Sequence, residues 1–269
     1  LGSLSYLARN LQLAHGFSLL VAISFVLLNG WPFYYFDASW PVRISDIFVY
    51  LATLASISVI SDIMPLKDYN RNLLRAVFET YKNDEFPQIS LLADHQDLNE
   101  SKIGMKVAPR INAIGRMIED TSVNDIIKFF TCNDEEFILT YYNYILAVND
   151  ERKQITINFA DSIKVEPGCK AIIEIIDAKE GLLGLIANNL LTKYRVPVIL
   201  FAYDKQHTVL KGSARSIDGL NIIETFRKLN DYFVTYGGHA LAAGCSLKPE
   251  QFESFKKDFL DIVNHTTFY

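Results

Sequence analysis

Between Asp134 and Ile163 the chain holds neither glycine nor proline and is rich in long side chains. A run of that kind favours one long helix, because nothing in it breaks the hydrogen-bond ladder. A helix of this length is a natural connector, and the sequence on its two sides is patterned differently.

Residues 1 to 82, on the N-terminal side, alternate apolar helical stretches with polar breaks. The most apolar runs, Phe17 to Leu28 and Ile47 to Ile60, fall short of the roughly 20 residues needed to cross a bilayer. Both read as buried core elements, so no membrane association is expected. Asp46 to Pro65 reads as one buried element that stops at Ser61-Asp62-Ile63-Met64-Pro65, where proline and the polar pair end it. Tyr69 to Tyr81 places Leu73, Leu74, Val77 and Phe78 at the spacing of an amphipathic surface helix. A more polar stretch, Asn83 to Lys106, then leads into Val107-Ala108-Pro109-Arg110-Ile111-Asn112-Ala113-Ile114-Gly115-Arg116.

After Pro167-Gly168 strand and helix alternate. Ala171 to Ile176 and Pro197 to Ala202 are short apolar strand candidates, and Leu182 to Tyr194 has helical spacing. Thr208 to Arg215, a helix near Asn221 to Leu229, the segment Tyr236 to Leu247 and an amphipathic helix from Glu250 to Val263 complete an α/β domain.

With 269 residues the chain exceeds the usual size of one hydrophobic core, so two domains are expected. Half of the residues are hydrophobic and 21% are charged, the mix of a globular protein. Cys132, Cys169 and Cys245 are far apart and form no paired-ligand spacing, so neither a zinc site nor a disulfide framework is indicated, which fits a reducing cytoplasm. A net charge of -5 excludes a protein that coats nucleic acid through a general basic surface. It leaves room for a local basic groove, and an acidic total also suits an enzyme that holds cations with carboxylates. The chain opens at Leu1 with no basic leader or cleavage-like site, from which we expect a fragment of a longer polypeptide.

Three places can carry chemistry. Asp62 follows an apolar run, where a carboxylate can point into a cleft; by itself it reads better as a cap or loop acid, and one aspartate is not a cation site. Arg110, Asn112 and Arg116 can grip phosphate oxygens and brace a sugar, or they can serve a structural loop. Lys211-Gly212-Ser213-Ala214-Arg215-Ser216 and Tyr236-Gly237-Gly238-His239-Ala240 pair small residues with groups that bind phosphate, although glycine pairs also mark simple turns. Tyr236, next to the glycine pair, is a candidate stacking platform for a base.

Taken together and in this order, Ser61-Asp62-Ile63-Met64-Pro65-Leu66, Pro109 to Arg116, Asn149-Asp150-Glu151-Arg152, Gly212 to Ser216 and Gly237-Gly238-His239-Ala240-Leu241-Ala242-Ala243-Gly244 resemble the RecJ-type nucleases of the DHH phosphoesterase superfamily. The resemblance runs from about Ile44 to about Ser246, and the Pro109 to Arg116 run is its most specific part. It implies an α/β, two-domain DHH-type phosphoesterase architecture: a truncated first domain over 1–130, a connecting helix over 131–166 and a complete, smaller DHH-associated nucleic-acid-binding domain over 167–269.

The same resemblance implies a metal-dependent exonuclease that degrades single-stranded DNA from its 5' end in DNA repair and recombination. Two Mn2+ or Mg2+ ions would be its cofactors, and single-strand binding protein and a helicase its companions. Asp62 then matches a metal-binding aspartate, and Arg110, Asn112 and Arg116 fall in the catalytic, substrate-side segment. Ser213 and Arg215 match positions that hold a terminal phosphate, and Gly237, Gly238 and His239 match the motif that closes over it.

Departures are equally visible. The upstream aspartate motifs and the Asp-His-His motif are absent, and Ala178-Lys179 stands where the family has tryptophan and histidine. The only Asp-His pair, Asp94-His95, reads as a surface loop. Two other readings therefore stand beside the exonuclease: a non-catalytic relative that binds single strands or scaffolds an assembly, and a DHH phosphodiesterase acting on short oligonucleotides or cyclic dinucleotides.

Overall fold

The computed structural model describes residues 44–82, 86–117 and 123–266. The core element expected over Phe17 to Leu28 lies outside the described residues. The chain divides into two compact units, Leu1–Asn149 and Asp150–Tyr269.

Among the described residues the first unit is helical. Helix α1 (Ile44–Ser61) buries Leu54, Ile57 and Val59, and α2 (Asp68–Thr80) turns Leu74 and Val77 inward. The amphipathic spacing read from Tyr69 onward is the one α2 uses. A short helix α3 (Pro87–Leu92) starts on proline, whose missing N–H costs nothing at a helix start. A helical turn at Glu100–Lys102, capped by the Asn99 side chain, then runs through a π-helical turn (Ile103–Val107) into α4 (Ala108–Met117). Helix α5 (Val123–Thr131) follows, and the Tyr50 hydroxyl donates to the carbonyl of Phe130 at 2.5 Å, tying α1 to α5.

The arginine- and asparagine-bearing segment is thus a helix, where the sequence left a structural loop as one reading. Pro109 has no N–H to give and crowds the carbonyl four residues back. The chain accommodates it by widening the preceding turn, in which the N–H of Ala108 bonds to Ile103 five residues back. Such π turns are frequent at functional sites.

The long helix expected over 134–163 is α6 (Glu135–Ser162). Within it Asn149 is buried and Asp150 pairs with Lys153 at 2.9 Å.

The second unit is a five-stranded sheet of order β1-β2-β3-β5-β4: β1 (Ile172–Ile175), β2 (Val198–Tyr203), β3 (Leu210–Arg215), β4 (Phe233–His239) and β5 (Ala242–Leu247). The β1–β2 pair is parallel and the others are antiparallel. A parallel pair needs a long crossover, and α7 (Glu180–Tyr194) supplies it, burying Leu182, Leu183, Ile186, Ala187 and Leu190. The other face of the sheet is covered by α8 (Ile222–Lys228) and α9 (Phe252–Asn264) around Phe201, Leu210, Ala214, Phe226, Phe255 and Phe259. Asn221 caps α8 by accepting from the N–H of Glu224 at 3.3 Å. The segment Tyr236 to Leu247 is a hairpin turning at Ala240-Leu241.

Among the described residues no helix is long and apolar enough to cross a membrane, and Cys132, Cys169 and Cys245 are free thiols.

Candidate nucleic-acid interface

In the first unit the expected site residues fall into two groups. Helical residues are turned by about 100° from one to the next, so positions i and i+4 share a face while i and i+2 do not. Asn112 and Arg116 share one face of α4, and Asn112 Nδ2 donates to Ser61 Oγ at 3.1 Å. That bond anchors α4 to the residue before Asp62. The chain leaves α1 through Asp62, whose N–H reaches the carbonyl of Ser58, and reverses at Ile63, a β-branched residue held at a φ of 52°. Ser58 Oγ lies 3.5 Å from Asp62 Oδ2. Burial lowers the pKa of Arg116.

Arg110 points elsewhere. Its Nη1 donates to the carbonyl of Leu92 at 2.6 Å and to Asp94 Oδ1 at 2.7 Å. The second oxygen of Asp94 accepts from Lys106 Nζ at 2.5 Å, and Lys106 belongs to the π turn. With Arg110 hydrogen-bonded to it first, and Lys106 second, the Asp94 carboxyl is held down to about 2. Tyr142 of α6 stands beside the same group; partial burial above all pushes its phenol up, with Arg110 opposing and Asp94 adding to the rise.

Asp94-His95 is a turn, as the sequence suggested, but its role was missed. Both residues are left-handed, with φ of 55° and 54°, and His95 Nδ1 lies 3.0 Å from Ser90 Oγ. The turn aims a carboxylate at Lys106 of the π turn and at Arg110, the first cation of the helix that carries Asn112 and Arg116.

In the second unit the strand register assembles the remaining candidates. Side chains alternate between the two faces of a strand, so Ser213 and Arg215 share one. Cross-strand pairing aligns Arg215 with Ala242 and Ala242 with His239 in one row, and Ser213 with Gly244 and Gly244 with Gly237 in the next. All six face the same way. His239, Gly237 and Gly244 are exposed, and Arg215 and Ser213 are half-buried. Arg215 Nη1 donates to the carbonyl of Ala214 at 2.8 Å and lies 3.3 Å from Ser213 Oγ.

The glycines have different reasons to be there. A Cβ on Gly238, at a φ of 145°, would lie 2.4 Å from the carbonyl oxygen of Ala242, and one on Gly212 would lie 2.5 Å from the Phe201 ring. Those two serve the fold. A Cβ on Gly237 would meet nothing within 4 Å, and the nearest atom to one on Gly244 would be 3.9 Å away. Packing does not require these two, and their bare backbone forms an open floor that runs out from Ser213, in the row beside Arg215, Ala242 and His239.

Gly184 of α7 is a further member that the sequence did not reveal. A Cβ there would fall 2.7 Å from Arg215 Nη2 and 3.1 Å from Ser213 Oγ, so this glycine makes room for both side chains. Tyr236 corrects an expectation. It points away from the glycine floor and packs beside Phe233 and Phe226, at ring separations of 5.3 and 6.1 Å, so it is no base-stacking platform on that face.

A fixed cation needs several ligands. Among the described residues no group of three or more His, Cys, Asp or Glu is placed to hold a metal ion, so Asp62 with its described neighbours does not make a cation site.

Comparison with known proteins places this arrangement. The DHHA1 domain matches residues 168–265. The single-stranded-DNA-specific exonuclease RecJ of Bacillus subtilis is 29% identical over 228 residues, covering 80% of this chain and 28% of that protein. The protein of the same name from Salmonella typhimurium is 28% identical over 271 residues, covering 90% of this chain and 45% of its own length. The chain thus spans less than half the length of these relatives. Among solved structures, RecJ from Thermus thermophilus in complex with Mg2+ superimposes with a TM-score of 0.70 at 24% identity, over 80% of this chain and 34% of that one. The same protein has been solved with Mn2+. Residues 168–265 match the DHHA1 domain, and the chain is similar to the C-terminal part of longer RecJ-type proteins.

Proposed function

We propose that this chain is the strand-gripping part of a single-stranded-DNA exonuclease. The observation that carries this reading is the open face where Arg215, Ser213 and His239 flank a glycine floor that the fold itself does not need. An extended phosphate backbone fits such a floor: the strand amides and the guanidinium supply donors, and the missing side chains permit close approach. Ser213 and Arg215 hold the terminal phosphate of the strand, and His239 closes on it from β4. The names of the matched relatives, single-stranded-DNA-specific exonucleases, support single-stranded DNA as the ligand.

In the first unit Arg116 is the arginine assigned to a substrate phosphate, and Asn112 holds its helix against Ser61. Arg110 is assigned a positioning role, because its donors are spent on Leu92 and Asp94. Asp62 contributes one oxygen ligand to a Mg2+ or Mn2+ site whose other ligands lie outside the described residues. When bound, such ions activate water and stabilise charge at phosphorus.

One observation favours a second reading, binding without hydrolysis: the described residues form no cation site of their own. Degradation of a 5'-phosphorylated, 3'-labelled single strand in Mn2+ separates the two. The chain supplied with the segment that completes its longer relatives is expected to shorten the strand from the 5' end. Tight binding with no shortening in that longer form overturns the nuclease reading in favour of the binding one.

A further inference from the structure

The face that carries Ser213 and Arg215 continues along the strands. One two-residue step from Ser213 the register aligns Lys211 of β3, Ser246 of β5 and Thr235 of β4. The Thr235 and Ser246 hydroxyls lie 2.6 Å apart. Thr235 is exposed on the edge strand, Ser246 is buried and Lys211 is half-buried on the central strand, so the row offers a hydroxyl at the sheet edge and an ammonium two strands in.

Two features mark Lys211 as more than a solvated surface charge. Among the described residues it makes no hydrogen bond and no ion pair. Its acidic neighbour Asp204, which Lys211 attracts only at longer range, has its hydrogen bonds elsewhere: that carboxylate accepts the N–H groups of Thr208 and Val209 at 2.7 and 3.0 Å and the Thr208 hydroxyl at 3.0 Å, closing the β2–β3 turn. The lysine is also set in register with Ser213 and Arg215, and residues i and i+2 of a strand stand about 6.6–6.8 Å apart. That step is comparable to the separation of consecutive phosphates along an extended single strand. A lysine ammonium is a flexible point charge that binds phosphate without demanding one geometry.

We infer that Lys211, with the Thr235–Ser246 hydroxyl pair, forms a second phosphate subsite, which takes the phosphodiester next to a terminal phosphate held by Ser213, Arg215 and His239. The inference rests on the proposed reading of that terminal site. It gives the domain a way to tell a strand from a mononucleotide, since only a strand offers a second phosphate one step along.

The test is binding of two probes, thymidine 5'-monophosphate and 5'-phosphorylated dithymidine, by the full chain without divalent metal. Lys211→Gln is expected to weaken the dinucleotide about tenfold, in the range of one lost charge-assisted hydrogen bond, and to leave the mononucleotide unchanged. Lys211→Arg is expected to restore dinucleotide binding, and unchanged circular dichroism verifies the fold of each variant. An equal effect of Lys211→Gln on both probes, or none on either, overturns the subsite. If Arg215→Ala weakens neither probe, the terminal-phosphate site itself is wrong, which keeps the two failures apart.

Discussion

Asp94 and Arg110 are joined at 2.7 Å across the space between the α3 turn and α4, and the same carboxylate holds Lys106 in the π turn. A single acid thus fixes two consecutive turns of the helix that carries Asn112 and Arg116. The Arg110 side chain is only 15% exposed and Asp94 31%, so solvent screens this pair less than it does an open surface pair.

Asp94→Asn is therefore expected to destabilise the chain by about 1.5 kcal/mol at pH 7, the lower end of the range for a hydrogen bond to a charged group, because the pair is partly exposed. The folded-state carboxyl is held down to about 2 against an ordinary value of 3.8. Its contribution is thus fully present above pH 4 and is lost as pH falls from about 4 to about 2. Urea denaturation of the two proteins at pH 7 and again near pH 3 measures this: the gap between them should narrow on acidification. A constant gap would remove the ion pair from the account.

Gly184→Ala is expected to separate stability from binding. Alanine is favoured over glycine in a helix interior by about 1 kcal/mol, and the atom its Cβ meets is the mobile end of Arg215. The variant should melt at the same or a higher temperature yet bind single strands more weakly, because Arg215 is displaced. Undiminished binding would show that Arg215 does not need this position.

The glycines of the hairpin should split in the same way. Gly238→Ala places a Cβ 2.4 Å from a backbone oxygen at a φ of 145° and is expected to cost about 1–3 kcal/mol. Gly237→Ala and Gly244→Ala enter open space, so thermal melting should register little loss while oligonucleotide binding falls. Equal loss of stability in all three variants would reduce the glycine floor to a folding requirement.

Much of the second unit could be read from the sequence. The helices α7 and α9 and strands β1 and β2 follow from local periodicity, because each element buries one face, while the Ser213-Arg215 pair comes from its small-residue motif and the family resemblance. Tyr236 was misplaced because nearness in sequence to Gly237 suggested nearness in space, whereas adjacent strand residues point to opposite faces. Asp94 was passed over because its partner is 16 residues away, across a turn built from two left-handed residues. Gly184 looks like a weakness in its helix until the side chains of β3 are laid against it. The π turn before Pro109 leaves no periodic signal, so the Arg110 to Arg116 segment reads as a phosphate grip or a structural loop and not as a helix.

The central claim is that Ser213, Arg215 and His239 grip the terminal phosphate of a single strand, and paired affinities test it most directly. Fluorescence anisotropy of a labelled strand with a 5'-phosphate, against the same strand with a 5'-hydroxyl, is measured for the chain and for Arg215→Ala at low and moderate salt. The account predicts tighter binding of the phosphorylated strand, loss of that preference in Arg215→Ala, and a salt dependence shallower by about 0.7 in slope, the value for one phosphate contact on a single strand. Equal affinity for both strands, or an Arg215→Ala variant that keeps the preference, would contradict it.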